Sequence, residues 1–287
     1  MSKENIKTIV QLVLMNETGD SYYRMRWPAR DLAFQAPNWR VINLDAQAKE
    51  RFTWGEAADL LILYQSNDID LLPLIEKRRR LGKKTLVEYN DNFYDVQAWS
   101  PVAEAWQSPL LWQRYERIMK ISDGIIVTGE GLRDVLSSHI SQRYYIIENH
   151  LPKVPDSYES LQQKKTPYIS IGWGGSLGHM ADFLSIVPVI KAVLAEIPGT
   201  KLHVMGNETI PSLLEFPKEK LVFKPWGSVE EYFHFWEEIH IGIAPLLDTP
   251  YNRCRSDIKA VEMSAMGVLP LLSNAIPYKN FLEQTDL

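Results

Sequence analysis

Short apolar runs alternate along the chain with longer stretches in which apolar residues recur every three or four positions. Runs of the first kind predict strands at 6–14, 41–44, 60–64, 85–89, 124–128 and 145–147. The second kind predicts helices between them, among them 70–81 and 110–121, and one that follows a loop around Gly19 and runs to about Ala36. Between Leu151 and Pro167 the pattern lapses into three prolines, Asp156-Ser157 and a Gln-Gln-Lys-Lys run, which is linker chemistry. It then restarts. A strand at 168–171 is followed by a glycine-rich loop, a helix from about Asp182 to Glu196, and strands at 201–205, 221–223, 241–244 and 268–272. Strands alternating with helices imply βαβ units and mostly parallel sheets. The expectation is α/β: two doubly wound Rossmann-like domains, residues 1–150 and 168–287, joined by a linker at 151–167 and facing a cleft. In such sheets ligands bind beyond the carboxyl ends of the strands.

Composition narrows the partners. The chain has 287 residues, 45% of them apolar, which suffices for two cores. A net charge of −5 offers no basic excess for nucleic acid. The basic run Lys77–Lys84 reads as a solvated helix end stopped by Gly82. The single cysteine, Cys254, allows neither a disulfide framework nor a cysteine-based metal site. With no signal-like apolar segment at the N-terminus, the expectation is a cytoplasmic protein. No apolar run is long enough to span a bilayer, and peripheral membrane contact stays open.

Three segments carry candidate chemistry. Ser256-Asp-Ile-Lys259-Ala-Val-Glu262 reads as a helix capped by Ser256 and ending at Gly267. Glu262 falls on the apolar face with Ile258 and Ala265, where a carboxylate needs partners. It is either a surface partner for Lys259 at spacing i, i+3 or a carboxylate held for the hydroxyls of a ligand. Gly172-Trp-Gly174-Gly175-Ser176-Leu-Gly178-His179 follows a strand and precedes a helix. It is either an anion-binding turn, with His179 at a phosphate or a sugar hydroxyl, or a tight turn that binds nothing. Its spacing is not that of a dinucleotide or Walker loop. The loop 245–256, with Arg253 and Arg255, suits a diphosphate or is a solvated surface loop. In the first domain, Gly19 marks the first loop, 16–24, which could meet the second domain's ligand across the cleft. Glu88-Tyr-Asn90-Asp91 ends a strand with acids and amides that suit acceptor hydroxyls, an oxygen-liganded metal, or plain turn caps.

Taken in order, the strand and glycine-rich loop at 171–179, the strand at 202–206, Ile241-Gly-Ile-Ala-Pro-Leu246, and Ser256-Asp-Ile-Lys-x-x-Glu262 running to Gly267 and Ser273 resemble the nucleotide-sugar half of GT-B glycosyltransferases, of the retaining family 4 type. The resemblance extends more weakly to Gly19, Lys84–Asp91, Ser122–Thr128 and Ile147-Glu-Asn149. It implies a glycosyltransferase that moves a sugar from a nucleotide diphosphate donor to a hydroxyl of a glycan or lipid-linked glycan, with retention and without a metal cofactor. Glu262 would take donor hydroxyls. Gly174, Gly175, Ser176 and His179 would sit at the diphosphate, with Arg253, Arg255, Ser256 and Lys259 around its charge. The first domain would hold the acceptor, with Asp91 as the candidate contact to it or to the sugar. The family's first glutamate falls on Cys254, its basic pair after the first donor-domain strand is represented by His179 alone, and its acceptor-domain histidine by Asn90-Asp91. A further strand and a returning helix would be expected beyond Leu287. The rival readings are a GT-B-like binding or partner subunit and a nucleotide-sugar epimerase.

Overall fold

The computed structural model describes residues 6–14, 19–152 and 158–285. Asn16–Thr18 of the first loop and positions 153–157 of the expected linker lie outside them. The chain divides into two compact units. One comprises residues up to Val96 together with Glu104–Pro152, the other Gln97–Ala103 and the residues from Lys153 on.

The first unit is built on six strands: β1 (Lys7–Val13), β2 (Trp39–Asp45), β3 (Leu60–Tyr64), β4 (Lys84–Tyr89), β5 (Gly124–Val127) and β6 (Tyr144–Ile146). All pair in parallel, in the order β2-β1-β3-β4-β5-β6. Strands such as Gly-Ile-Ile-Val at β5 are apolar throughout because both faces of a parallel sheet are covered. The Lys77–Lys84 run departs from the solvated reading at one residue. Arg78 is fully buried, and its guanidinium donates to the carbonyls of Gly55 (2.5 Å), Ala58 (2.8 Å) and Lys84 (2.7 Å) and to Thr85 Oγ1 (3.0 Å). It ties the helix Leu72–Arg80 to the end of the helix Arg51–Ala57 and to the start of β4. Gly82, at φ +71°, makes the expected stop.

The second unit holds β7 (Ile169–Gly175), β8 (Thr200–Gly206), β9 (Leu221–Pro225), β10 (Ile241–Ala244) and β11 (Leu269–Leu272), parallel and ordered β11-β10-β7-β8-β9. The expected helix 182–196 is two helices, Met180–Leu184 and Val187–Glu196, and the segment Leu177–Leu184 meets the second at a bend of 61°. Pro188 lies in the first turn of the second, where its missing N–H costs nothing but cannot continue the first. The expected glycine-rich loop after 171 is corrected too, since β7 runs on through Gly175. A Cβ at Gly174 would sit 2.9 Å from the Tyr232 ring, and one at Gly175 would sit 2.5 Å from the Trp173 ring. A Cβ at Gly172 would lie 2.7 Å from Ile239. Gly172 and Gly174 let the helix Val229–Glu237 and its end approach the strand, and Gly175 leaves room for the Trp173 ring, packing demands that read in sequence like a loop.

Candidate functional site

β7 and β10 are neighbours, yet the chain leaves β7 toward β8 on one side and reaches β10 on the other. Ligands of doubly wound sheets bind at such a reversal, beyond the carboxyl ends. Here the end of β7 leads through Ser176 into the turn Leu177–His179, and the end of β10 leads through residues 245–257 into the helix Ile258–Ala265. Asp257 holds that helix's N-cap position, one residue beyond the expected Ser256, and Gly267 ends it at φ +64°.

The side chains there form one connected cluster. His179 Nε2 lies 2.5 Å from an Arg255 guanidinium nitrogen, and Nδ1 lies 3.2 Å from Asp182 Oδ2. Because Arg255 can only donate, the imidazole accepts at Nε2 and carries its proton on Nδ1, toward the carboxylate. Burial, and then the charge of Arg255, lower the His179 pKa to about 4, against the opposing pull of Asp182. Asp182, 1% exposed, also takes the Leu247 N–H (2.9 Å) and Asn252 Nδ2 (2.8 Å) on Oδ1. It therefore pins the loop after β10 to the turn after β7. Arg255 stacks over Tyr251 at 5.3 Å.

Lys259 donates to the carbonyl of Gly174, and burial, followed by the Arg255 charge, lowers its pKa while Glu262 holds it up. Glu262 is 3% exposed and accepts the Tyr232 hydroxyl at 2.8 Å. Burial, and then the Glu262 carboxylate, hold the Tyr232 phenol well above its ordinary range. The apolar-face placement of Glu262 is thus that of a buried, partnered carboxylate, not of a solvated pair with Lys259. Tyr278, 2% exposed, feels Arg255, Asp182, Glu262 and Asp257, and burial raises its pKa.

The structure brings His179, Arg255, Lys259 and Glu262 together, with Ser256 beside them on the chain. Ser176 is exposed and gives the following turn no side-chain cap. Arg253 stands apart. It is half exposed and engages Asp248 through two bonds, of 2.7 and 2.9 Å, at the surface. Sequence reasoning passed over Asp182, Tyr232 and Tyr278. Asp182 stands three residues after His179, a helical contact spacing, and Ser228…Glu231, a reciprocal capping box, announces the helix that brings Tyr232 in.

In the first unit, Gly19 opens a helix, and a Cβ there would make only ordinary contact with Tyr23 at 3.6 Å. Asp91, half-buried after β4, adds to the field that raises the pKa of Tyr64 and of Tyr115, burial being the larger cause for both. Beside it, Asn90 Oδ1 accepts from Gln65, a residue at φ +44° after β3. Strained non-glycine backbone of this kind gathers at functional sites. Arg24 and Glu88, both buried, meet at 2.5 Å, and Arg24 also donates to Asn149 Oδ1 at 2.8 Å. Burial raises the Glu88 pKa and the Arg24 charge opposes it. Among the described residues no group of three or more His, Cys, Asp or Glu side chains is arranged to hold a metal ion, and no single helix is long and apolar enough to cross a membrane.

No protein-family model matches the chain, and no curated protein does. Solved structures resemble it in fold. The catalytic domain of starch synthase IV from Arabidopsis thaliana, bound to ADP and acarbose, aligns with a TM-score of 0.62 at 8% identity over 96% of this chain and 84% of its own. A glycosyltransferase from Rickettsia africae ESF-5 gives 0.59 at 11% over 99% and 82%. A mutant TarM of S. aureus, in complex with fondaparinux, alpha-GlcNAc-glycerol and UDP, gives 0.56 at 11% over 78% of this chain. This chain spans 43% of that one. Identities this low speak for architecture alone, and the architecture is that of two Rossmann-like α/β domains of the GT-B fold.

Proposed function

We propose that the chain is a glycosyltransferase that holds a nucleotide diphosphate sugar on its second unit and passes the sugar to a hydroxyl of a glycan or lipid-linked glycan, in the synthesis of a surface polysaccharide or glycoconjugate. The observation that carries this reading is the clustering of Arg255, Lys259 and buried Glu262 around the start of one helix, at the carboxyl ends of β7 and β10. In this reading Arg255 and Lys259, with the N–H groups that open the helix Ile258–Ala265, face the departing diphosphate. Donors fixed where negative charge develops lower the barrier without reorganising during the reaction. Glu262 accepts ribose or sugar hydroxyls on the side away from Tyr232. Neutral His179, set by Asp182, offers a lone pair at Nε2 once Arg255 turns to phosphate. The backbone at Gly174, Gly175 and Ser176 borders the diphosphate. On the first unit, Asp91 takes the acceptor hydroxyl. Transfer with retention, without a catalytic metal, and a cytoplasmic location with peripheral membrane contact complete the proposal.

The test is thermal stabilisation of the chain by UDP, GDP, ADP, TDP and CDP and their sugars. A ligand at 100 times its dissociation constant adds about 2.7 kcal/mol. A shift with one base, lost in Glu262→Ala, supports the donor site; no shift with any of them removes it. A second reading, binding without turnover, draws on Cys254. It stands where the resemblance expects a glutamate, is 4% exposed, and places its thiol 3.4 Å from the Pro250 carbonyl. Nucleotide-sugar binding with no release of nucleoside diphosphate in the presence of acceptors would favour it.

A further inference from the structure

The first unit contains a cavity of about 340 Å³ between one face of its sheet and the helix Trp27–Gln35. That size is at the small end for ligand pockets. The helix seals the face poorly, since none of its residues is buried and Phe34 is 90% exposed. It follows directly on six residues of π-helix, Ser21–Arg26, a local winding found mostly at functional sites. The cavity floor is hydrocarbon where Ile9, Val41 and Ile62 meet on three adjacent strands, and Ile126 continues it on β5, beyond β4.

Asp31, Glu148 and His150 also line the cavity but reach solvent, and two buried polar features interrupt the floor. Gln11, in the lining and 6% exposed, has its Oε1 buried without a hydrogen-bond partner. Its register partner across β1 and β2, Asn43, has a buried Oδ1 in the same condition. A buried amide oxygen without a donor costs about 1–3 kcal/mol, so two side by side call for an explanation. The other feature is the Arg24–Glu88 pair, whose charges face each other at 2.5 Å with both side chains 4% exposed. Arg24 offers little to an anion and Glu88 little to a cation. What the cavity lacks is a neutral donor on a hydrocarbon body.

We propose that this cavity binds a small neutral alcohol, its hydrocarbon chain along the isoleucine floor and its hydroxyl on the Gln11 amide. A hydroxyl meets the amide as donor or acceptor, whichever end faces it. The inference stands independently of the nucleotide-sugar reading, because every residue it uses belongs to the first unit.

The experiment titrates the whole chain with straight-chain 1-alkanols from butanol to decanol, followed by calorimetry and by NMR shifts. Each added methylene should raise the affinity about fourfold until the cavity is full, after which the rise stops. Gln11→Leu should weaken alkanol binding about fivefold, the equivalent of one hydrogen bond, without lowering the unfolding midpoint. Val41→Phe and, separately, Ile126→Phe should fill the space and abolish binding, so that misfolding of one variant leaves the other to decide. Absence of saturable binding overturns the proposal. So does affinity that climbs with chain length without a plateau, which is partition onto apolar surface. Binding unaltered in Gln11→Leu and in the folded filling variant also overturns it, and would point to the apolar groove along Ile190 and Leu271 in the second unit.

Discussion

Asp182→Asn tests the site's wiring with almost no change of shape. Oδ1 is held as an acceptor by two donors, the Leu247 N–H and Asn252 Nδ2. The new amide nitrogen must therefore take the place of Oδ2, facing His179 Nδ1. If the imidazole keeps its proton on Nδ1, two N–H groups confront each other. If the proton moves to Nε2, it confronts the Arg255 guanidinium. Either way one contact becomes repulsive. Hydrogen bonds to a charged group contribute about 1.5–3 kcal/mol and neutral ones about 1, so the two surviving bonds each lose roughly 1 kcal/mol as well. The expected cost is about 3 kcal/mol in the unfolding of the second unit, read from the urea midpoint. Long-range ¹⁵N NMR of the imidazole at neutral pH should show an Nδ1–H tautomer in the parent protein and a changed or mixed one in the variant. A variant within about 0.5 kcal/mol of the parent, with an unaltered His179 signal, would refute the assigned network.

Three further outcomes follow from the same geometry. Arg255→Ala should weaken nucleoside diphosphate binding at least tenfold, whereas Arg253→Ala, which breaks only a surface pair with Asp248, should leave both binding and the unfolding midpoint unchanged; equal effects would reverse their assignment. Gly175→Ala should destabilise by about 1–3 kcal/mol because the Trp173 ring has no room to yield, while Gly19→Ala should stay within about 0.5 kcal/mol, as denaturant midpoints will show. The His179 pKa of about 4 lies below the ordinary 6.5, so between those values the unfolded chain binds a proton that the folded chain refuses. The His179 contribution is then complete above about pH 6.5 and falls by about 3 kcal/mol as the pH drops toward 4; burial lowers the His203 pKa to about 4 as well, so His179→Gln should remove about half of the combined loss.

The alternation of apolar runs and helical periods was enough to find every strand of both sheets, because parallel strands buried on two faces leave the plainest mark a sequence can carry. The angle of Glu262 on its helix set it among apolar residues but left a solvated pair with Lys259 open, and only the packed structure, with the residue 3% exposed, decides for burial. Nor were the glycines of β7 readable. A glycine that clears a path for phosphate and one that clears a path for Tyr232 look alike until the facing helix is placed. Asp182 escaped notice for a related reason. Its partners Leu247 and Asn252 lie 65 and 70 residues away, joined to it by tertiary packing and not by any local period. The Arg24–Glu88 pair, 64 residues apart, escaped in the same way.

The close approach of Gly174 to Tyr232 also constrains descent. The phenol that binds Glu262 stands 2.9 Å from where the smallest side chain at 174 would begin, so 174 cannot be enlarged while a tyrosine stands at 232. A lineage that enlarges 174 must shrink or displace 232 and leave its glutamate without the phenol. In aligned relatives the two positions should therefore vary as a couple, with the identity of residue 262 changing in step. Such three-way covariation would trace the site through ancestry at identities where overall similarity has faded.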